Sequence, residues 1–128
     1  MSDIRESGED YLEAIIQLED KDGKVRSVDV ANRLGVSRPS VNKAVAVLKK
    51  EGMVAQELYG DISLTEKGRK RAQLVLGRHF AIKRFLIEIL HVDAETADAD
   101  ACRMEHIISE VTFEGIKRLL KERSASLD

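Results

Sequence analysis

The stretch SVDVANRLGVSRPSVNKAVAVLKKE, residues 27–51, decides the fold. Val28, Val30, Ala31 and Leu34 form a short apolar pattern at helical spacing, with Ser27 expected as its N-cap. Gly35 follows where a helix end calls for a residue free to take positive φ. Val36 is expected as a buried anchor and Ser37 as a new polar start. Pro39 falls in the first turn of the next helix, where its missing N–H costs little. Val41, Ala44, Val45 and Leu48 then face inward, and the helix is expected to end near Gly52. A short helix, a tight glycine turn and a longer helix with a polar front make a helix-turn-helix.

Working outward, Met53–Ala55 and Leu58–Leu64 read as two short strands around a turn at Tyr59–Asp61, a wing behind the second helix of the motif. Upstream, residues 4–19 carry Tyr11, Leu12, Ile15, Ile16 and Leu18 at helical spacing. Downstream, Thr65 caps a long helix whose apolar residues run to Leu90, with Gly68 and Gly77 weakening it without ending it. Asp93 is expected to cap a helix over about 94–109, and Thr112 one over about 113–123. The fold class is therefore mainly α: a winged helix-turn-helix over 1–72 and a helical domain over 73–128, joined by one continuous helix. Met104, Ile107, Ile108, Val111, Ile116, Leu119 and Leu120 offer more apolar surface than two helices can hide from water. A homodimer interface is the expected use of that surface.

With 128 residues, 43% hydrophobic and 34% charged, the chain is too short for most large enzyme folds and too apolar for extensive disorder. No apolar run approaches the roughly 20 residues of a bilayer span, and the N-terminus lacks a signal-peptide pattern, so a cytoplasmic location with no membrane partner is expected. A single cysteine, Cys102, excludes an intramolecular disulfide. The net charge of −2 hides segregation: residues 1–20 sum to −6, residues 21–90 to +8 and residues 91–128 to −4. A basic middle suits a polyanion such as double-stranded DNA.

Two constellations could carry chemistry. Asp10 and Glu13, three apart on the first helix, share a face. Cys102, Glu105 and His106, at i, i+3 and i+4, bring a thiol, a carboxylate and an imidazole to one helical stripe, the donor types of a transition-metal site. His79, beside Phe80 in the long helix, is the next candidate ligand, whereas His91 is expected at the negative end of that helix. Catalysis has little support: no glycine turn near Cys102 and His106 suggests an oxyanion hole, and no nucleotide-binding or metalloprotease motif occurs. The protein is read as no enzyme.

In four places the sequence resembles the diphtheria toxin repressor family of metal-dependent transcriptional regulators. Residues 100–106, DACRMEH, look like its primary metal signature, and residues 9–13, EDYLE, residues 36–41, VSRPSV, and residues 77–79, GRH, agree in order and spacing. The resemblance mixes two branches. Asp10 and Glu13 are similar to the manganese-responsive branch, since the iron-responsive branch usually carries methionine at the position of Asp10. Cys102 is similar to the iron branch, since the manganese branch has a glutamate there. The iron branch also has an ancillary site using His79, a glutamate four residues on and a later histidine, but here Lys83 and Asp98 stand at those positions. Ending at Asp128, without an SH3-like domain, the chain is expected to follow the short, manganese-like architecture.

The resemblance implies a metal-dependent repressor of metal homeostasis genes. Its metal ligands would be Asp10, Glu13, His79, Cys102, Glu105 and His106, holding one or two divalent ions per protomer. A thiolate softens the donor set, which makes Fe²⁺ the expected metal and Mn²⁺ the alternative. On DNA, Ser37, Ser40 and Lys43 are expected at phosphates, Arg38 and Asn42 at base edges, and Pro39 against a thymine methyl, with Arg26, Tyr59 and Gly60 adding backbone contacts. The competing readings are a metal-independent winged-helix regulator, a metal-buffering protein and a small di-metal enzyme.

Overall fold

The computed structural model describes residues 6–57 and 60–127. Its elements run α1 (Glu6–Leu18), α2 (Ser27–Leu34), α3 (Arg38–Lys50), β1 (Val54–Gln56), β2 (Ile62–Leu64), α4 (Glu66–Glu88), α5 (Ala94–Ile107) and α6 (Glu110–Leu127). They divide into two compact units at Leu74–Val75, inside the unbroken α4.

In the first unit the chemistry around the helix-turn-helix is local. Gly35 takes φ 66° after α2, and the N–H groups of Gly35 and Val36 both return to Ala31 O. Ser37 caps α3, its Oγ accepting from Ser40 N at 3.2 Å. Two expectations fail here. The N-cap of α2 is Arg26, in extended conformation and without a side-chain cap bond, so Ser27 is the first helical residue. Val36 is 38% exposed, because Val30, Ala31 and Val41 already fill the interior on either side of the turn. Leu12, Ile15, Val30, Val41, Leu48 and Ile62 form the centre of this core.

The wing pairs antiparallel, with Val54 opposite Leu64 and Gln56 opposite Ile62. Leu58, expected in the second strand, and Tyr59 lie outside the described residues. An unforeseen bridge adds Val25, which exchanges two backbone bonds of 2.8 and 2.9 Å with Ile62. Thr65 caps α4 through a 3.0 Å bond from Gly68 N, and its hydroxyl donates to Gly52 O at 2.6 Å. Gly68 has a packing reason to be glycine: a Cβ there would sit 1.8 Å from Met53 O. Two arginines of α4 bind α1, Arg71 to Glu9 at 2.7 Å and Arg69 to Glu19 at 2.8 Å.

The second unit packs Ile82, Leu86, Ala97, Ala101, Phe113, Ile116 and Leu120. Asp93 caps α5, accepting from Thr96 N at 2.9 Å. The last helix begins earlier than expected. Ser109, not Thr112, caps it, accepting from Thr112 N at 3.1 Å, which adds nearly one turn of helix. Arg78 ties α4 to the start of α6 by donating to Ile108 O at 3.0 Å and lying over the Phe113 ring.

Candidate metal centre and nucleic-acid interface

α1 holds Asp10 and Glu13 on one face, both half-buried. Glu13 Oε2 is buried, and no hydrogen bond reaches it among the described residues. A buried carboxylate oxygen in that state is costly unless a cation compensates it.

In the second unit, α4 supplies His79 and α5 supplies Cys102, Glu105 and His106. Fully buried Ala97 and Ala101 present no bulk on the inner face of α5, and they pack in one cluster with Ile82 and Leu86 of α4. Small side chains at that contact let the donors converge. His79 Nδ1 lies 3.1 Å from Glu105 Oε2 and 3.8 Å from Cys102 Sγ, and His106 Nε2 lies 3.3 Å from Glu105 Oε1. The Glu105 carboxylate is thus fully buried with an imidazole on either side, while Cys102 stands at the exposed rim. Nitrogen, oxygen and sulfur donors gathered this way fit a divalent transition metal. His91 stands apart, at the exposed turn after α4, in left-handed conformation with φ 58°.

Asp98 is a residue that the sequence pattern marked only as a departure. Its Oδ1 lies 2.9 Å from His79 Nε2 and 3.3 Å from Lys83 Nζ. Hydrogen bonding with His79, and to a lesser degree with Lys83, holds the Asp98 carboxyl below the usual aspartate range. No periodicity could reveal this contact, since it joins two helices 19 residues apart in sequence.

On the first unit, Ser37, Arg38, Pro39, Ser40, Asn42 and Lys43 are all exposed along the front of α3. A polar groove gathers Arg26, Ser27 and Val28 with Arg38 and Asn42 of α3 and with Gly60 and Asp61 of the wing. Four of the nine residues expected at DNA therefore line one concavity. Arg26 is engaged with Asp29 through bonds of 3.0 and 3.2 Å, but the pair is well exposed and a phosphate can compete for it. Ser37 and Ser40 share a 2.9 Å hydroxyl contact in the first turn of α3. Asp61 was not foreseen, and its carboxylate places a negative charge in the groove. Tyr59 lies outside the described residues.

No helix among the described residues is long and apolar enough to cross a membrane. Comparison with known proteins adds two family matches. The family described as iron dependent repressor, N-terminal DNA binding domain, matches residues 3–62, and iron dependent repressor, metal binding and dimerisation domain, matches residues 65–126. An HTH-type transcriptional regulator of Methanocaldococcus jannaschii is 34% identical over 120 residues, covering 93% of this chain and 96% of the relative. The transcriptional regulator MntR of Escherichia coli is 37% identical over 121 residues, covering 94% of this chain and 77% of the relative. Among solved structures, the manganese regulator SloR superposes with a TM-score of 0.78 at 31% identity over 89% of this chain. The chain spans about half of SloR, 53% of its length.

Proposed function

The chain belongs to the iron-dependent repressor family, the family of the diphtheria toxin repressor, and from that membership we propose that it is an Fe²⁺-responsive repressor of metal homeostasis genes. It acts as a homodimer on double-stranded DNA in the cytoplasm and catalyses no reaction. The observation that carries the reading is the buried Glu105 carboxylate flanked by His79 and His106 at 3.1 and 3.3 Å, with a thiol at the rim.

His79, Cys102, Glu105 and His106 hold the ion, and Asp10 and Glu13 complete the ligand set. When bound, one or two divalent ions supply positive charge to this collection of carboxylates and a thiol. Glu105 binds as a carboxylate, Cys102 as a thiolate, and the two imidazoles through one nitrogen each. A ligand set drawn from α1 as well as from α4 and α5 makes DNA affinity depend on occupancy, because the DNA-competent arrangement binds the ion more tightly. In that arrangement Arg38 and Asn42 read base edges, Pro39 meets a thymine methyl, and Ser37, Ser40, Lys43, Arg26, Tyr59 and Gly60 hold the backbone.

Mn²⁺ is the second reading, favoured by Asp10, a hard oxygen donor where iron-branch relatives carry a thioether. Anaerobic titration of metal-free protein with Fe²⁺ and with Mn²⁺, alongside DNA binding with and without chelator, tests both. Tighter Fe²⁺ binding and chelator-sensitive DNA affinity are expected. Tighter Mn²⁺ binding selects the second reading. DNA binding that ignores chelators would make the chain a metal-independent winged-helix regulator, and metal uptake without DNA affinity would make it a metal buffer.

A further inference from the structure

The proposed ligands leave two charged neighbours of His79 without a role, Lys83 on α4 and Asp98 on α5. His79 is buried, and its two ring nitrogens face different groups. Nδ1 looks toward Glu105 Oε2 at 3.1 Å and Cys102 Sγ at 3.8 Å, while Nε2 looks toward Asp98 Oδ1 at 2.9 Å. Lys83 is four residues after His79, hence on the same face of α4, and its Nζ lies 3.3 Å from the same Asp98 oxygen. Turning the imidazole by half a rotation would put ring carbons at both positions and forfeit both contacts.

We infer that Asp98 is a positioning residue for His79: it accepts the Nε2–H bond and thereby presents the Nδ1 lone pair to the metal, while Lys83 holds that carboxylate in place and keeps its oxygen from a divalent ion. The inference rests on the reading of His79 as a metal ligand. A carboxylate behind a ligating imidazole fixes its tautomer and ring orientation and raises its basicity. The phenyl ring of Phe80, edge-on to the imidazole at 5.6 Å, restricts the remaining ring motion. Asp98 and Lys83 are both partly exposed, so the pair is a weak contributor to stability, and its effect lies in orientation. An ammonium already 3.3 Å from the carboxylate also repels a divalent ion at the same oxygen.

The test combines histidine ¹⁵N spectra of the metal-free protein, taken where the imidazoles carry one proton, with Fe²⁺ and Mn²⁺ titrations. Wild type is expected to show His79 protonated at Nε2. Asp98→Ala should shift His79 towards the Nδ1–H tautomer and weaken metal binding about 10–100-fold, and Asp98→Glu should recover most of both. Lys83→Met should add one weaker divalent ion per protomer. A His79 spectrum and an affinity unchanged in Asp98→Ala overturn the positioning role, and unchanged stoichiometry in Lys83→Met overturns the role of the lysine. Failure of wild type to bind either metal would defeat the proposed function instead, while the metal-free spectra would still report whether Asp98 holds His79.

Discussion

The two units spend their interiors differently. The first packs thirteen buried apolar residues into one cluster around Leu12, Ile15, Leu48 and Ile62, and its buried set among the described residues is wholly apolar apart from the Tyr11 hydroxyl. The second has a cluster of seven, two of them alanines, and gives interior space to His79 and Glu105. It also leaves Phe80, Leu90, Ile107 and Val111 more than half exposed. A core that admits a carboxylate and an imidazole forfeits hydrophobic stabilisation and needs something else to compensate it. The contrast fits a DNA-reading unit stabilised by its own packing and a second unit that, on the proposed function, draws stability from metal and from a second copy.

The sharpest way to break the comparison is Gly68→Ala. The new methyl would meet a backbone carbonyl at 1.8 Å, which no side-chain rotation relieves, so a loss of about 3 kcal/mol is expected in urea unfolding. A wild-type midpoint would mean that the segment after α3 yields freely and that the first core is looser than its burial suggests. Chelation probes the other side. Removing metal held at a hundredfold excess over its Kd should cost about 2.7 kcal/mol. Hydrogen exchange should place that loss in residues 79–107 and around Asp10 and Glu13 of α1, and spare α2 and α3; a uniform loss would erase the distinction between the units. Next, Ile107→Glu combined with Val111→Glu should weaken dimerisation at least about tenfold, or about 1.4 kcal/mol, by sedimentation. These side chains are 72% and 83% exposed, and an unchanged dimer would place the interface elsewhere. Thr65→Ala should cost about 1 kcal/mol, because the hydroxyl both caps α4 and reaches Gly52 O; no change in the unfolding midpoint would mean water replaces both bonds.

What could be read from the sequence is what short-range chemistry dictates. Gly35, Ser37, Pro39 and Asp93 act within a few residues of themselves, as does Thr65 in capping α4, and each behaves in the structure as its type requires. Rival caps three apart were harder to rank: Ser109 prevails over Thr112 because the earlier cap gains almost another helical turn. Val36 misled because its apolarity says nothing about whether the interior beside the turn is already full. Contacts between distant residues left no periodic trace, among them Val25 with Ile62, Glu9 with Arg71 and Glu19 with Arg69. Those arginines also temper the basic middle segment, since part of its charge is neutralised within the fold. At the candidate metal centre, the i, i+3, i+4 stripe brought out Cys102, Glu105 and His106, and the structure places His79 against them. Asp98 escaped because its partner lies on another helix.

The smallest expected effect concerns the cap of α5. Hydrogen bonds from Thr96, its backbone N–H foremost and its hydroxyl second, hold the Asp93 carboxyl below its ordinary value of 3.8. The folded state therefore binds fewer protons at this site than the unfolded chain, and the cap adds more stability as pH rises. That contribution is complete above the ordinary aspartate value and is lost as pH falls through the lower value of the folded protein. Asparagine caps a helix about as well but carries no titrating group. Asp93→Asn should accordingly match wild type at neutral pH and lose less stability on acidification, with the difference concentrated in hydrogen exchange of the first turn of α5. Parallel loss in the two proteins would show that the Thr96 N–H interacts with the cap oxygen as a neutral acceptor, leaving the sensing unit without this acid-sensitive element.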